Sequence, residues 1–281
     1  MNKFNVINFH ITDRCNYACK YCFGKFNKRE LSLEKAKMVI DSIDRYFKHR
    51  GIKNGRINFA GGEPLLYPNL DEIIDYCAEK HINVSIVTNG SLLTPERIYK
   101  WQGKVCQIGI SIDSNNDTVN AYIGRHACGK VLKEEQLIRT VKAIKECKIE
   151  LKINTVASRI NINEDLSQLY LMLMPDKIKL FQMHIVDGVN DKSKFYSISQ
   201  EEFHRYCEKY AQLPFNIVCE KQGDMENSYL MIDPDGTLIV NDRGSYKSIG
   251  SVLETELYNA TLPLSYGKFM LRYKRGHRYV Y

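Results

Sequence analysis

The sequence predicts an α/β fold: an open, partial (β/α)6 barrel followed by an α+β C-terminal extension that covers the barrel mouth. Six short apolar runs alternate with helical patterns, as in parallel strands joined by helical crossovers. Six units fall short of the eight that close a full barrel, and the pattern changes after residue 200. Functional side chains are therefore expected at the carboxyl ends of the strands.

The strand candidates are rich in apolar residues and show little strict alternation, which suits strands buried on both faces. They are Val6–Ile11, Arg56–Ala60, Val84–Thr88, Val105–Ile112, Leu151–Val156 and Ile178–His184.

Apolar residues recur at helical spacing between these runs, for example at Leu137, Val141 and Ile144. Thr94 and Pro95 predict the start of another helix, with an N-cap followed by proline at the first position. A further helix is predicted to begin near Asn163 and to end at Pro175.

The remaining chain mixes helix and strand. Glu201–Leu213 predicts a helix and Phe215–Cys219 a short strand. Ser228–Ile232 and Thr237–Val240 flank the turn sequence Asp-Pro-Asp-Gly, which predicts a β-hairpin. We assign residues 1–200 to the partial barrel and 201–281 to an extension that closes the active site without being an independent domain.

Composition and charge indicate which partners the protein can have and whether it is a membrane protein. The net charge of +7 is dispersed, which is typical of a mildly basic, soluble surface. The functional alternative is a basic pocket for an anionic substrate such as a nucleotide, and the absence of a dense Lys/Arg tract disfavours nucleic acid as a partner. The N-terminus lacks the apolar core of a signal peptide, and no uncharged apolar run approaches the length of a membrane span. We expect a soluble, cytoplasmic protein, monomeric and not bound to membranes.

Three of the nine cysteines form the most specific motif in the chain. Cys15, Cys19 and Cys22 have the spacing C-x3-C-x2-C directly after the first strand, whereas the other six lie far apart. Three thiolates on one loop can hold three irons of a 4Fe–4S cluster and leave the fourth open to a ligand. The alternative is a zinc site completed by His10 or another residue.

The cysteine motif, with Tyr21 as its aromatic residue, resembles the signature of the radical S-adenosylmethionine (SAM) superfamily. The resemblance implies a 4Fe–4S cluster whose open iron binds SAM and a radical that abstracts hydrogen from the substrate. Gly61-Gly62-Glu63-Pro64 resembles the superfamily motif that holds the SAM amino group. By the same resemblance, Asn89, Ser111 and Arg125 contact SAM.

Longer segments, such as Ile57-Asn58-Phe59-Ala60 and Lys179-Leu180-Phe181-Gln182, are similar to the viperin family, in a prokaryotic or other non-vertebrate form. Viperins dehydrate a ribonucleoside triphosphate to a 3′-deoxy-3′,4′-didehydro chain terminator of viral polymerases. The family implies CTP or UTP as the favoured substrate, GTP as a further candidate, and an electron donor such as a flavodoxin or ferredoxin.

The family resemblance also implies roles for individual residues. Tyr229 corresponds to the tyrosine thought to act as the general acid, and Arg243 lies in a loop near the base. A triphosphate requires cations, which strand residues with period two can place on one face. The implied phosphate-binding residues are Arg56, Lys152, Lys177 and Lys179, assisted by Asn8 and Asn154.

The sequence alone leaves two other interpretations of the function open. One is a different radical SAM enzyme that acts on a peptide or another small molecule. The other is a non-catalytic metal-binding protein, which would need neither the Gly-Gly-Glu-Pro motif nor an open iron.

Overall fold

The computed structural model describes residues 3–24, 27, 29–260 and 264–274, with only the backbone described for 271–274. The end of the predicted extension, including Tyr281, lies outside these residues. All the strands belong to one sheet, in the order β10-β9-β8-β1-β2-β3-β4-β5-β6-β7. The strands are β1 Val6–Thr12, β2 Arg56–Gly61, β3 Asn83–Thr88, β4 Val105–Ser111, β5 Glu150–Ala157, β6 Lys177–Gln182, β7 Asn216–Glu220, β8 Met231–Ile232, β9 Thr237–Asp242 and β10 Ser245–Ser251.

The sheet confirms the open α/β barrel and extends it by one strand. β1 to β7 pair in sequence order and all run parallel, so the parallel series has seven strands rather than six. β8 lies parallel to β1, and β8, β9 and β10 then pair antiparallel. Within the described residues β7 and β10 remain at the two edges, so the sheet does not close.

The helices cover the outer face of the sheet. Thr94 caps α3 as predicted, because its side chain accepts a hydrogen bond from the backbone N–H of Arg97. The helices are α1 Leu33–His49, α2 Leu70–Glu79, α3 Pro95–Lys100, α4 Asp117–Ile123, α5 Glu134–Glu146, α6 Ser167–Leu173, α7 Gln200–Glu208, α8 Gln222–Met225 and α9 Tyr266–Lys274. No helix in this described part of the chain is both long and apolar enough to cross a bilayer.

Two helix predictions were too long. The helix expected from Asn163 to Pro175 begins only at Ser167, and it ends where Met174 adopts a left-handed backbone with φ of 49°. The helix expected to reach Leu213 ends at Glu208. Tighter turns follow it, because the proline after Leu213 disfavours helical backbone at the preceding residue.

The strands are expected to be buried on both faces, but one face of the sheet lines a cavity and carries polar side chains. On β5, Leu151 and Ile153 are fully buried in the main hydrophobic core. The alternate residues Lys152 and Asn154 line a cavity on the opposite face. β1, β2 and β6 repeat this pattern, since successive strand side chains point to opposite faces. The inner face of the sheet is therefore largely polar.

The extension contributes to both ends of the sheet. β7 pairs with β6 at one end, while β8 to β10 continue from β1 at the other. The predicted hairpin is confirmed as β8 and β9. Met225, Tyr229, Met231, Asn241 and Tyr246 from this part of the chain line the same cavity as the strands of the barrel.

Candidate active site

The cysteine loop leaves the carboxyl end of β1 and is fixed by backbone contacts. The N–H of Ala18 donates to the carbonyl of Gly124 at 3.2 Å, and that of Lys20 donates to Ile123 at 2.8 Å. Gly124 ends α4 with φ of 91°, and a Cβ there would lie 2.2 Å from the Ala18 carbonyl oxygen. The glycine allows this close approach, which holds the loop against α4.

Hydrogen-bond donors approach each sulfur of the motif. Backbone N–H groups donate to Cys15 Sγ at 3.4 Å and to Cys22 Sγ at 3.3 Å, and Arg125 Nη1 lies 3.9 Å from Cys19 Sγ. Burial raises the pKa of Cys15 to about 11 and that of Cys22 to about 12. A bound metal deprotonates such thiols, and donors to sulfur stabilise the thiolates. The three cysteines therefore fit an iron–sulfur cluster.

The residues described contain no group of three or more His, Cys, Asp or Glu side chains that could hold a metal ion. The assignment of the cysteines to a cluster consequently depends on their spacing and on the donors around the sulfurs.

Arg125 and Tyr21 are held by an aspartate that sequence reasoning did not single out. Arg125 Nη1 lies 3.0 Å from Asp113 Oδ2, and the Tyr21 hydroxyl donates to the same oxygen at 2.6 Å. Burial opposes the charge of Arg125, but Asp113 together with the neighbouring Cys19, Tyr21 and Tyr17 outweighs it, and the pKa of the guanidinium is raised. Asp113 thus fixes a permanent positive charge beside Cys19.

The Gly-Gly-Glu-Pro motif packs against the start of the cysteine loop. A Cβ on Gly61 would lie 2.3 Å from the Thr12 carbonyl oxygen, and one on Gly62 would lie 2.1 Å from that of Arg14. The buried carboxylate of Glu63 accepts hydrogen bonds from the Thr88 hydroxyl and from the backbone N–H of Asn89, both at 2.7 Å. Both positions require glycine, because the backbone of this motif approaches the start of the cysteine loop too closely to admit a Cβ.

The predicted SAM-contacting residues beyond this motif surround a small cavity. Asn89, Ser111 and Arg125 line it together with Tyr17. Asn89 also stabilises its own turn, because its side-chain oxygen accepts from the backbone N–H of Ser91 at 2.9 Å. Ser111 and Arg125 line the larger cavity as well, so the two cavities share a wall.

The larger cavity brings the cysteine loop and the predicted phosphate-binding residues together. Its lining includes Tyr21, Cys19, Cys22, Asn8, Asn154, Arg56, Lys152, Lys177 and Lys179. Desolvation, followed by repulsion from the cations Lys179, Arg56 and Lys177, lowers the pKa of Lys152 to about 7. A set of cations that repel one another this strongly favours an anionic ligand.

Glycine and asparagine residues shape the polar floor between the strands. A Cβ on Gly109 would lie 2.7 Å from Lys152 Cε, so this glycine makes room for the lysine side chain. Asn58 donates to Asn8 Oδ1 at 2.8 Å and accepts from Ser85 at 2.8 Å. Asn8 therefore has a fixed orientation, and Asn58 joins the residues that sequence reasoning missed.

The hydroxyl of Tyr229 contacts both Lys179 and Glu220, and Glu220 is a further residue that could not be identified from the sequence. Lys179 Nζ donates to the Tyr229 hydroxyl oxygen at 2.8 Å, and that hydroxyl donates to Glu220 Oε2 at 2.5 Å. Glu220 Oε1 lies 2.6 Å from Lys179 Nζ, and its side chain is 0% exposed. Only one feature of the sequence points to Glu220, namely that it is a single carboxylate at the end of an apolar strand.

The structure does not bring Arg243 to the cavity. Arg243 lies in the turn between β9 and β10 with φ of 50°, and its side chain is 91% exposed. Asn241, near the end of β9, lines the cavity instead and contacts His184 at 2.6 Å. Burial lowers the pKa of His184 to about 4, so this histidine is neutral at physiological pH.

Comparisons with known proteins agree with this geometry. Residues 9–173 match the model of the radical SAM superfamily. An S-adenosylmethionine-dependent nucleotide dehydratase of Psychrobacter lutiphocae is 32% identical, over 98% of this chain and 96% of its own length. One from Selenomonas ruminantium is 34% identical, over 88% and 90%.

A solved structure shows the same fold at low sequence identity. Streptococcus suis SuiB bound to the precursor peptide SuiA superposes with a TM-score of 0.69 at 17% identity, covering 95% of this chain and 66% of that one. With the superfamily match and the near full-length relatives, the assignment follows: this chain belongs to the radical SAM superfamily and, within it, to the viperin-type family of S-adenosylmethionine-dependent nucleotide dehydratases.

Proposed function

We propose that this protein removes water from a ribonucleoside triphosphate to form the 3′-deoxy-3′,4′-didehydro nucleotide. CTP and UTP are the favoured substrates, with GTP as a further candidate, and the product acts as an antiviral chain terminator. One observation carries the proposal: a single cavity is lined by two cysteines of the cluster motif, by five arginine and lysine side chains and by Tyr229. The names of the curated relatives support it.

Cys15, Cys19 and Cys22 would hold the 4Fe–4S cluster, and Glu63, Asn89, Ser111 and Arg125 would surround SAM. Together these cofactors supply the abstraction of a hydrogen atom from the substrate. Arg125 stays charged beside Cys19 because Asp113 pairs with it at 3.0 Å. The protein thus provides a fixed positive charge where the anionic cluster and the carboxylate of SAM would bind.

The cations of the larger cavity would hold the triphosphate. Arg56, Lys152, Lys177 and Lys179 come from three parallel strands, so their spacing is set by the sheet. Charge-assisted hydrogen bonds to phosphate are the strongest available to the site. Anchoring the phosphates on rigid strands fixes the distance from the ribose to the cysteine loop.

Loss of the 3′-hydroxyl requires a proton, because hydroxide is a poor leaving group. We assign this proton to Tyr229. The C3′–O bond breaks with its electron pair on oxygen, the oxygen leaves as water, and a C3′–C4′ double bond forms. One electron from a flavodoxin- or ferredoxin-type donor balances the step. Lys179, 2.8 Å from the Tyr229 oxygen, stabilises the phenolate that remains.

We further propose that the enzyme acts as a cytoplasmic monomer and that the extension closes the site over the nucleotide. The lining residues Met225, Tyr229 and Tyr246, all after residue 200, support a role of the extension in the site.

The deciding experiment incubates the anaerobically reconstituted protein with SAM, a reductant and each nucleoside triphosphate in turn. We expect 5′-deoxyadenosine to form faster with at least one nucleotide, and a product lighter than that nucleotide by one water. If no nucleotide accelerates the formation of 5′-deoxyadenosine, the proposed substrate class is wrong. Peptides added in place of nucleotides test the main rival class in the same assay.

A further inference from the structure

Glu220, the last residue of β7, joins two residues of the proposed reaction. Its Oε2 accepts the hydroxyl hydrogen of Tyr229 at 2.5 Å, and its Oε1 lies 2.6 Å from Lys179 Nζ. Lys179 also donates to the Tyr229 oxygen at 2.8 Å. Each of the three groups therefore contacts the other two, and the contact spans β6, β7 and the segment before β8.

The burial of Glu220 shows that these contacts are needed. Its side chain is 0% exposed, and a carboxylate removed from water is costly unless it is paired and hydrogen-bonded. Lys179 supplies the opposite charge and Tyr229 a hydrogen bond. A phenol has one hydrogen, so the contact with Glu220 decides where the hydroxyl of Tyr229 points.

Glu220 also acts on the neighbouring cations. Lys152 and Lys177 experience repulsion from other cations, and Glu220 partly offsets this effect for both lysines. Its closest cation is Lys179, which the proposed function assigns to phosphate. An arriving phosphate and Glu220 would therefore share the ammonium group of Lys179.

We propose that Glu220 is a positioning residue of the dehydration, which holds the ammonium of Lys179 and the hydroxyl of Tyr229 together so that phosphate and the departing 3′-oxygen meet a preformed pair. This inference rests on the proposed function. During the step, the hydroxyl hydrogen of Tyr229 turns from Glu220 Oε2 to the departing 3′-oxygen and is transferred to it, which leaves a phenolate paired with the ammonium of Lys179. A proton from solvent then restores the phenol, and its hydrogen returns to Glu220.

The test replaces Glu220 with glutamine, which keeps the size of the side chain and removes its charge. We expect nucleotide-dependent formation of 5′-deoxyadenosine to persist, because neither the cysteine loop nor the cations are altered. The ratio of dehydrated nucleotide to 5′-deoxyadenosine should fall roughly tenfold or more, since proton delivery becomes disordered. Nucleotide affinity should not weaken, because Lys179 loses a competitor for phosphate.

Glu150→Gln is the matched control. Glu150 lines the same cavity and offsets the repulsion on Lys177, as Glu220 does, but it lies at the start of β5 rather than at the end of a strand. Like Glu220→Gln, the control removes one negative charge from the surroundings of these cations. We expect it to shift nucleotide affinity as Glu220→Gln does and to leave the product ratio at the wild-type value.

The outcomes separate the two proposals. A wild-type enzyme without nucleotide-dependent product overturns the proposed function. A wild-type enzyme that works, with an unchanged ratio in Glu220→Gln, overturns the role of Glu220, and so does an equal loss of ratio in Glu150→Gln. Should the glutamine variant not fold, Glu220→Asp takes its place. This variant shortens the side chain by one methylene and so moves the carboxylate away from Lys179 and Tyr229. A wild-type ratio of dehydrated nucleotide to 5′-deoxyadenosine would then count against the inference.

Discussion

Raising the pH from 7 to 9 should weaken the binding of a nucleoside triphosphate, because Lys152 loses its charge over this range. Desolvation and the neighbouring cations Lys179, Arg56 and Lys177 lower its pKa from 10.5 to about 7 in the nucleotide-free protein. Below this value Lys152 is an ammonium that can bind phosphate. Above it the lysine is neutral, and binding must first recover a proton.

The size of the effect follows from the fraction of Lys152 that is protonated. With a pKa of about 7, roughly half of the molecules carry the charge at pH 7 and about one in a hundred at pH 9. If bound phosphate restores an ordinary lysine pKa, affinity falls by up to about 50-fold between these pH values. The pKa of Lys177 is lowered in the same direction, by desolvation and by the neighbouring Lys179.

Isothermal titration of the cluster-containing protein with CTP, without reductant so that no turnover occurs, measures this dependence. Buffers of different ionisation enthalpy should also reveal the uptake of a proton near pH 8. Lys152→Arg is the control, because an arginine keeps its charge over the whole range and should flatten the curve. Equal affinity at pH 7 and pH 9 in the wild type would refute this account of Lys152.

Three substitutions test the remaining assignments. Tyr229→Phe should support nucleotide-dependent 5′-deoxyadenosine formation with little dehydrated product, and a normal yield by mass spectrometry would dismiss Tyr229 as the acid. Lys179→Ala should weaken nucleotide binding about tenfold or more in titrations while the cluster absorbance stays unchanged, and retained affinity would remove Lys179 from the phosphate site. Gly62→Ala should reduce the iron bound per chain, because its Cβ would lie 2.1 Å from the Arg14 carbonyl oxygen next to Cys15. Gly223→Ala, whose Cβ would have no neighbour within 4 Å, should retain its iron.

Features that depend on neighbouring residues could be predicted from the sequence. The spacing of Cys15, Cys19 and Cys22 lies within one loop, and the apolar runs located the first six strands to within a few residues. Lys177 and Lys179 lie two residues apart on a strand, so their common face followed from the period of a strand.

Features that depend on distant pairings could not be predicted. Glu220 contacts Lys179 only because β7 pairs beside β6, and nothing in the local sequence distinguishes it from a surface carboxylate. β10 was missed since its residues are mostly polar or glycine, and its pairing with β9 sustains it. Arg243 was placed at the base by family resemblance, whereas the turn directs its side chain to solvent.

The two halves of the active site are encoded in largely separate stretches of the chain. Nearly everything around the cysteines lies before residue 126, while most of the cavity beyond them comes from β5, β6 and the extension. The exceptions come from the first four strands and include Asn8, His10, Arg56, Asn58 and Gln107. Substitutions in β5, β6 and the extension can therefore change much of the cavity wall while the residues around the cysteines stay unaltered.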